Sequence, residues 1–393
     1  MKEISIRPVW GIHEPGGRPL PARIIELLVQ VSESGSLLLA ARALGLSYRR
    51  AWDLVREGEE HFGAALLVME RGRGSTLTEL GTRIVWADKR IRARLQPILE
   101  TMASELSEEL RNALREAPAA LRLHASHGFA IERLIERLGH EGLQLHISYA
   151  SCSAAAAALR EGECDMVGMH LPLGPLQDMA LQHYRPWLQG MALTLVDIAQ
   201  RRQGLMVQRG NPKEVFSLAD LTRPQVRFIN RQAGSGSRLL LEGLLAQQGI
   251  DATRIAGFEQ GEYTHSAVAA YVASGMADVG FGLEPPARHF KLDFAPIAKE
   301  RYFLLCRDDV LPTPAAQKVL AVLRDPSFQA VLSQLPGYDP ACAGVVMPLA
   351  QAYPALGEVR RRASARRPAG AGQSPAAVAG NVQPNAHPWR KPE

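Results

Sequence analysis

The residues best placed for chemistry are hydroxyls and imidazoles at the ends of short apolar runs. Ser126 and His127 follow LRLHA, and Ser151 and Ser153 follow HISYA. Gly234, Ser235, Gly236 and Ser237 follow VRFIN, while Thr264, His265 and Ser266 lead into AVAAYVASG. Each reads as a strand-to-helix junction, where a Ser or Thr caps the helix and the first-turn N–H groups, at the positive end of the dipole, attract an anion. In an α/β sheet such junctions collect at the carboxyl ends of the strands, where ligands bind. Arg231 and Arg238 flank the glycines, and His170 closes the run CDMVGMH. Any single junction is equally well an ordinary cap, and GSGS alone could be a linker. Jointly they predict a small anion or carboxylate in an interlobe cleft, and Arg231 favours a carboxylate or phosphate through its bidentate fork.

His127, His170 and His265 are expected to act as neutral hydrogen-bonding groups or structural residues, because no carboxylate cluster or nucleophile motif accompanies them. GxSxG, P-loop and HExxH patterns are absent from the chain, so no catalytic residue, metal or cofactor is expected and the protein is not read as an enzyme.

These junctions need a scaffold. Beyond Pro118 short apolar strands (LRLHA, LQLHISYA, CDMVGMH, GLMVQ, VRFIN, ADVGFG) alternate with helical stretches, which predicts α/β architecture with mainly parallel strands. LREGECDMVGMHLP at 159–172 and VASGMADVGFGLEP at 272–285 repeat one arrangement: a helix end, Gly-x-x-Asp, then a glycine-bearing strand. Two such units imply two similar lobes.

The N-terminal region differs. Pro21 opens a helix with Ile24, Ile25, Leu27, Leu28 and Val31 on one stripe, and Gly35 ends it as a left-handed cap. Ser36 caps a second helix through Leu44, Gly45 allows a tight turn, and a third helix starts at Ser47. On that third helix Ala51, Leu54 and Val55 face inward with Tyr48 beside them. Arg49, Asp53 and Arg56 face outward, flanked by Arg50 and Trp52, which suits a DNA major groove. The segment LLVMERGRGSTLTELG predicts a strand, turn and return, a wing with Arg71 and Arg73 at its tip. Ser47, Tyr48, Arg49, Arg50, Trp52, Asp53, Arg56, Arg71 and Arg73 form the candidate DNA-binding set; a helical bundle with solvated arginines is the plainer alternative.

From Leu80 the positions Leu80, Ile84, Ala87, Ile91, Leu95, Ile98 and Met102 step by threes and fours, a stripe suited to a homodimer or to docking on the chain itself, with Pro97 expected to kink or divide the helix. Composition is that of a globular protein, 46% hydrophobic and 22% charged over 393 residues. The net charge of +5 permits nucleic-acid binding without demanding it. MKEISIRPVW holds no apolar leader, so a cytoplasmic location without membrane insertion is expected. The four cysteines lack ligand spacing and read as reduced thiols.

Two stretches are familiar. GSLLLAARALGLSYRRAWDLV followed by ERGRGSTLTELG resembles the DNA-binding domain of ModE-type molybdate-responsive regulators, relatives of the LysR-type winged helix. INRQAGSGSRLLLEGLL and THSAVAAYVASGMADVGFGLEPP resemble the PBP-like (periplasmic-binding-protein-like) domain of some molybdenum-related regulators. The resemblance implies a dimer on double-stranded DNA and a cleft ligand such as molybdate, tungstate, sulfate, formate or a larger organic anion. The fold class expected is mixed: an N-terminal α winged helix-turn-helix plus an α/β two-lobed type II periplasmic-binding-protein-like domain. The expected divisions are 1–77 for the DNA-binding domain and 78–117 for a linker and dimerisation helix. The ligand domain takes 118–354, with lobe I at 118–202 and 298–354 and lobe II at 203–297, and a disordered basic tail fills 355–393. The rivals are a molybdenum-cofactor biosynthesis or insertion protein holding a pterin in the cleft, and a DNA-binding protein whose cleft is vestigial.

Overall fold

Capped apolar stripes build the N-terminal unit of the computed structural model, which describes residues 4–13, 19–70, 74–114 and 121–357. Helix α1 (Ala22–Ser34) buries Ile24, Ile25, Leu27, Leu28 and Val31 and ends at left-handed Gly35. Ser36 caps α2 (Leu37–Ala43), and Ser47 caps α3 (Tyr48–Phe62), which buries Ala51, Leu54 and Val55. Strands β1 (Leu67–Glu70) and β2 (Gly74–Leu77) pair antiparallel as the wing. Arg71 and Arg73, expected at its tip, lie outside the described residues.

Helix α4 (Glu79–Ala113) follows, capped by Thr78. It runs continuously through Pro97, so the expected division does not occur. A proline removes one hydrogen bond from a helix, and neighbouring groups can take up the carbonyl it frees. The apolar stripe is shared between two surroundings: Ile84 is buried in the core of the N-terminal unit, whereas Ile98 and Met102 are exposed. Leu106, Leu110 and Leu114 extend the exposed stripe beyond the expected positions.

The larger domain comprises β3 (Leu121–Ala125), α5 (Phe129–His140), β4 (Leu145–Tyr149), α6 (Cys152–Glu161), β5 (Met166–Pro172), α7 (Gln177–Leu188) and β6 (Leu193–Val207), then β7 (Phe228–Arg231), α8 (Gly236–Gln247), β8 (Gly261–Glu262), α9 (His265–Ala273), β9 (Val279–Leu283), α10 (Glu284–His289) and β10 (Asp293–Arg307). The strand order is β4-β3-β5-β10-β6-β9-β7-β8. Parallel pairing holds within each lobe, β4-β3-β5 in the first and β9-β7-β8 in the second. The sheet is nevertheless mixed rather than mainly parallel, because the two long strands that join the lobes, β6 and β10, pair antiparallel with each other and with β9 and β5. GLMVQ is the end of β6 rather than a strand of its own, and the return to the first lobe expected near 298 is made by the long strand β10, which the sequence pattern does not show as a strand. The final helical turn, Pro354–Gly357, buries Leu356, so the chain expected to be tail from 355 is still packed there. Residues 358–393 lie outside the description.

Candidate ligand cleft and DNA-binding face

On β6 and β10, Arg201 stands directly across from Glu300. Both side chains are almost wholly buried, and Arg201 Nε donates to Glu300 Oε1. Gln203 donates to the other carboxylate oxygen at 2.6 Å, and His170 Nδ1 lies 3.0 Å from it. The guanidinium also covers the Tyr302 ring, 4.2 Å from its centroid. Burial works against every charge here, but Arg201 and His170 still hold the Glu300 carboxyl down to about 2. His170 is held up at about 9: burial opposes its charge, and Cys152 and Glu300 outweigh that penalty.

Above this pair lies a cavity of about 270 Å³. The first lobe supplies Ser126, His127, Tyr149, Ser151 and His170, the joining strand supplies Arg201, and the second lobe supplies Arg231, Gln232, Ser235, Gly236, Ser237, Tyr263 and His265. The lobes approach closely: a Cβ on Gly236 would fall 2.4 Å from His170 Cε1, so the first residue of α8 can only be glycine without displacing that ring.

Local hydrogen bonds leave donors free for a ligand. Ser235 Oγ and Ser151 Oγ accept from the first turns of α8 and α6, which leaves their own protons to donate. Leu283 N donates to His265 Nδ1 at 3.3 Å, so the neutral ring carries its proton on Nε2, 3.4 Å from Ser237 Oγ. Burial and the neighbouring cations Arg231 and Arg201 push His265 well down. Burial, aided by Arg231, brings His127 down to about 4. Its 3.3 Å approach to Glu132 is therefore a contact between uncharged or weakly charged groups rather than an ion pair, because burial and Glu100 push Glu132 up to about 7. Arg231 donates through Nη1 to Glu262 O at 3.1 Å, while its buried Nε has no partner. The cavity can thus offer two guanidinium groups, serine hydroxyls, imidazole N–H and helix N-termini to an anion.

The structure brings Ser126, His127, Ser151, His170, Arg231, Ser235, Gly236, Ser237 and His265 to one cavity and leaves five expected residues off it. Ser153 instead contacts His183 at 3.1 Å, and Gly234 only forms a left-handed turn. Arg238 turns away to Glu242 and Glu259. Thr264 caps α9 and donates to Ala93 of α4, and Ser266 lies one position beyond the lining His265. Conversely Arg201, Tyr149, Gln232 and Tyr263 were not anticipated. Arg201 sits inside a strand with no junction signal, and its partner is 99 residues away.

On α3, Ser47 is the cap, and Tyr48, Arg49, Arg50, Asp53 and Arg56 are exposed on one side. Tyr48 is thus outside the core rather than beside it, and Trp52 is partly packed inward, edge-on to Tyr48 at 6.4 Å. Among the described residues no group of three or more His, Cys, Asp or Glu could hold a metal ion, and no helix is long and apolar enough to cross a membrane.

Residues 22–82 match the model of the bacterial regulatory helix-turn-helix protein, LysR family, and residues 135–324 match the PBP superfamily domain. The chain therefore carries a LysR-type helix-turn-helix segment followed by a PBP-superfamily domain. It is 33% identical over 189 residues to the uncharacterized protein YvgK of Bacillus subtilis (strain 168), covering 48% of this chain and 60% of YvgK. It is 29% identical over 108 residues to the molybdenum-pterin-binding protein MopB of Rhodobacter capsulatus, covering 26% of this chain and 40% of MopB. Among solved structures, the LysR family transcriptional regulator CbnR aligns over 76% of this chain and 98% of its own chain, at 18% identity and a TM-score of 0.36.

Proposed function

We propose that this protein is a transcription regulator, a homodimer that binds double-stranded DNA through the exposed face of α3 and the wing, and that an anion in the interlobe cavity sets its DNA affinity. The observation that carries the proposal is the convergence of Arg201 and Arg231, from different parts of the sheet, on one cavity lined by hydroxyls and helix N-termini. A buried guanidinium Nε without a partner is costly, and an acceptor from a ligand would relieve that cost. Arg231 favours a carboxylate such as formate or a phosphate; molybdate and tungstate are the anions that the resemblance to molybdenum-related regulators implies. The exposed stripe Met102, Leu106 and Leu110 on α4 supports dimerisation.

A thermal-shift series with formate, phosphate, sulfate, molybdate and tungstate tests the sensor. At about one hundred times its dissociation constant a ligand adds roughly 2.7 kcal/mol of stability. Arg231→Ala should abolish that response, and a flat series in the unaltered protein would refute the sensor. For DNA, Arg49→Ala with Arg56→Ala should weaken operator binding, whereas loss of Arg71 and Arg73 should mainly lower its salt dependence.

A further inference from the structure

The cavity has a third wall that belongs to neither lobe. Arg94, Pro97 and Ile98 of α4 line it together with Arg201 and Arg231. Pro97 has no N–H, so the helix offers no donor to Ala93 O, four residues earlier. Thr264 Oγ1, at the N-terminus of α9, donates to that carbonyl at 2.9 Å. The helix is tied to the other lobe about two turns later. Thr101 Oγ1 accepts from Tyr149 N at 3.0 Å and Ser104 Oγ from Ile147 N at 2.8 Å, which satisfies the free edge of β4. Glu108 adds a 2.8 Å contact to His146. Thus α4 is bonded to the second lobe before Pro97 and to the first lobe after it, with the cavity between.

Arg94 is the cation this wall contributes. Its side chain is 54% exposed, at the mouth, whereas Arg201 is 4% exposed, at the floor. Its Nε stands 3.6 Å from Glu262 Oε2, too far for a hydrogen bond, and that buried oxygen has no hydrogen-bond partner. The pair is long and without a hydrogen bond, so a ligand acceptor can compete for Arg94, and the cost of leaving Glu262 less compensated is drawn from the ligand's binding energy.

We infer that the linker helix reads the ligand directly: Arg94 binds the acceptor group of an anion nearest the cleft mouth, and in leaving Glu262 it shifts how α4 seats on the second lobe. The inference rests on the anion-binding reading of the cavity. It places the coupling to the DNA-binding unit in α4 itself, without requiring a separate relay.

The test uses the full chain with formate, phosphate, sulfate, molybdate, tungstate and succinate at constant ionic strength, read by thermal shift and by hydrogen exchange over residues 91–101. At least one anion should stabilise the unaltered protein and change exchange in that segment. Arg94→Ala should weaken that anion by about ten-fold or more and abolish the exchange change, with Arg94→Lys falling between. Thr264→Val should speed exchange there even without anion. An anion that binds unaltered protein and Arg94→Ala equally, or that leaves the segment unchanged, overturns the role of Arg94 and α4 while sparing the cavity. If no anion stabilises the unaltered protein, the anion site falls and this inference falls with it.

Discussion

The two lobes share a scaffold device almost atom for atom and differ in the charged groups they turn to the cavity. In the first lobe Arg122 N and Nη2 each donate to Asp165 at 2.8 Å, and Nη2 also reaches Gly162 O at 3.1 Å. In the second, Arg227 N and Nη2 each donate to Asp278 at 2.8 Å, and Nη2 reaches Gly275 O at 2.9 Å. Each clamp ties the start of a strand to the helix-to-strand turn beside it. At the cavity, by contrast, the first lobe presents the neutral His127 with Glu132 and the cationic His170, and α5 begins at Gly128 without a side-chain cap. The second presents Arg231, Ser235, Ser237 and the neutral His265. A repeated fold therefore repeats its framework and leaves its ligand-facing residues free to diverge.

That comparison can be broken at its joint first. Glu300→Ala leaves Arg201 buried without its carboxylate on the strands that both lobes share, and should cost about 4 kcal/mol in urea unfolding. A cost under 1 kcal/mol would mean the lobes do not depend on that pair. Next come the clamps. Asp278→Ala should cost about 3 kcal/mol and Asp165→Ala about 2 kcal/mol, because Asp278 is 6% exposed and Asp165 is 23% exposed. The reverse order would show that the two clamps are equivalent in geometry only.

Acid titration separates the imidazoles. His127 is held at about 4 against an ordinary 6.5, so the unfolded chain takes up its proton first and stability falls as pH drops from 6.5 to 4. Glu132, held up at about 7, has the opposite sign and loses stability as pH rises from 4.5 to 7. His127→Gln should flatten the acid limb by about 2 kcal/mol, and an unchanged limb would assign it to other groups, His265 of the second lobe foremost. The smallest effect is in the caps: Ser151→Ala and Ser235→Ala should each cost about 1 kcal/mol in thermal unfolding, since each removes one first-turn acceptor. Markedly unequal losses would show that one serine does more than cap.

The caps, the helix stripes and the repeated Gly-x-x-Asp units were legible because each depends on residues within a few positions of one another. Ser36, Ser47, Ser151, Ser235 and Thr264 all cap the helices their sequence context predicts. The same signal misled at Ser153, Ser266 and Thr264, since a hydroxyl near a helix start does not say which way it points. Thr264 is a cap, yet its proton goes to the linker helix rather than to the cavity.

What local chemistry determined by itself is the set of elements: where helices begin and stop, which face of each is apolar, and that two similar α/β units follow a winged helix-turn-helix. Only the assembled chain decided the site. Arg201 meets Glu300 because two long strands run antiparallel between the lobes, and Arg94 overlooks the cavity because Pro97 freed a carbonyl that Thr264 could bind. Short-range propensities act over a turn or a strand, whereas these pairings close loops of 99 and 171 residues and exist only once the sheet and α4 have packed.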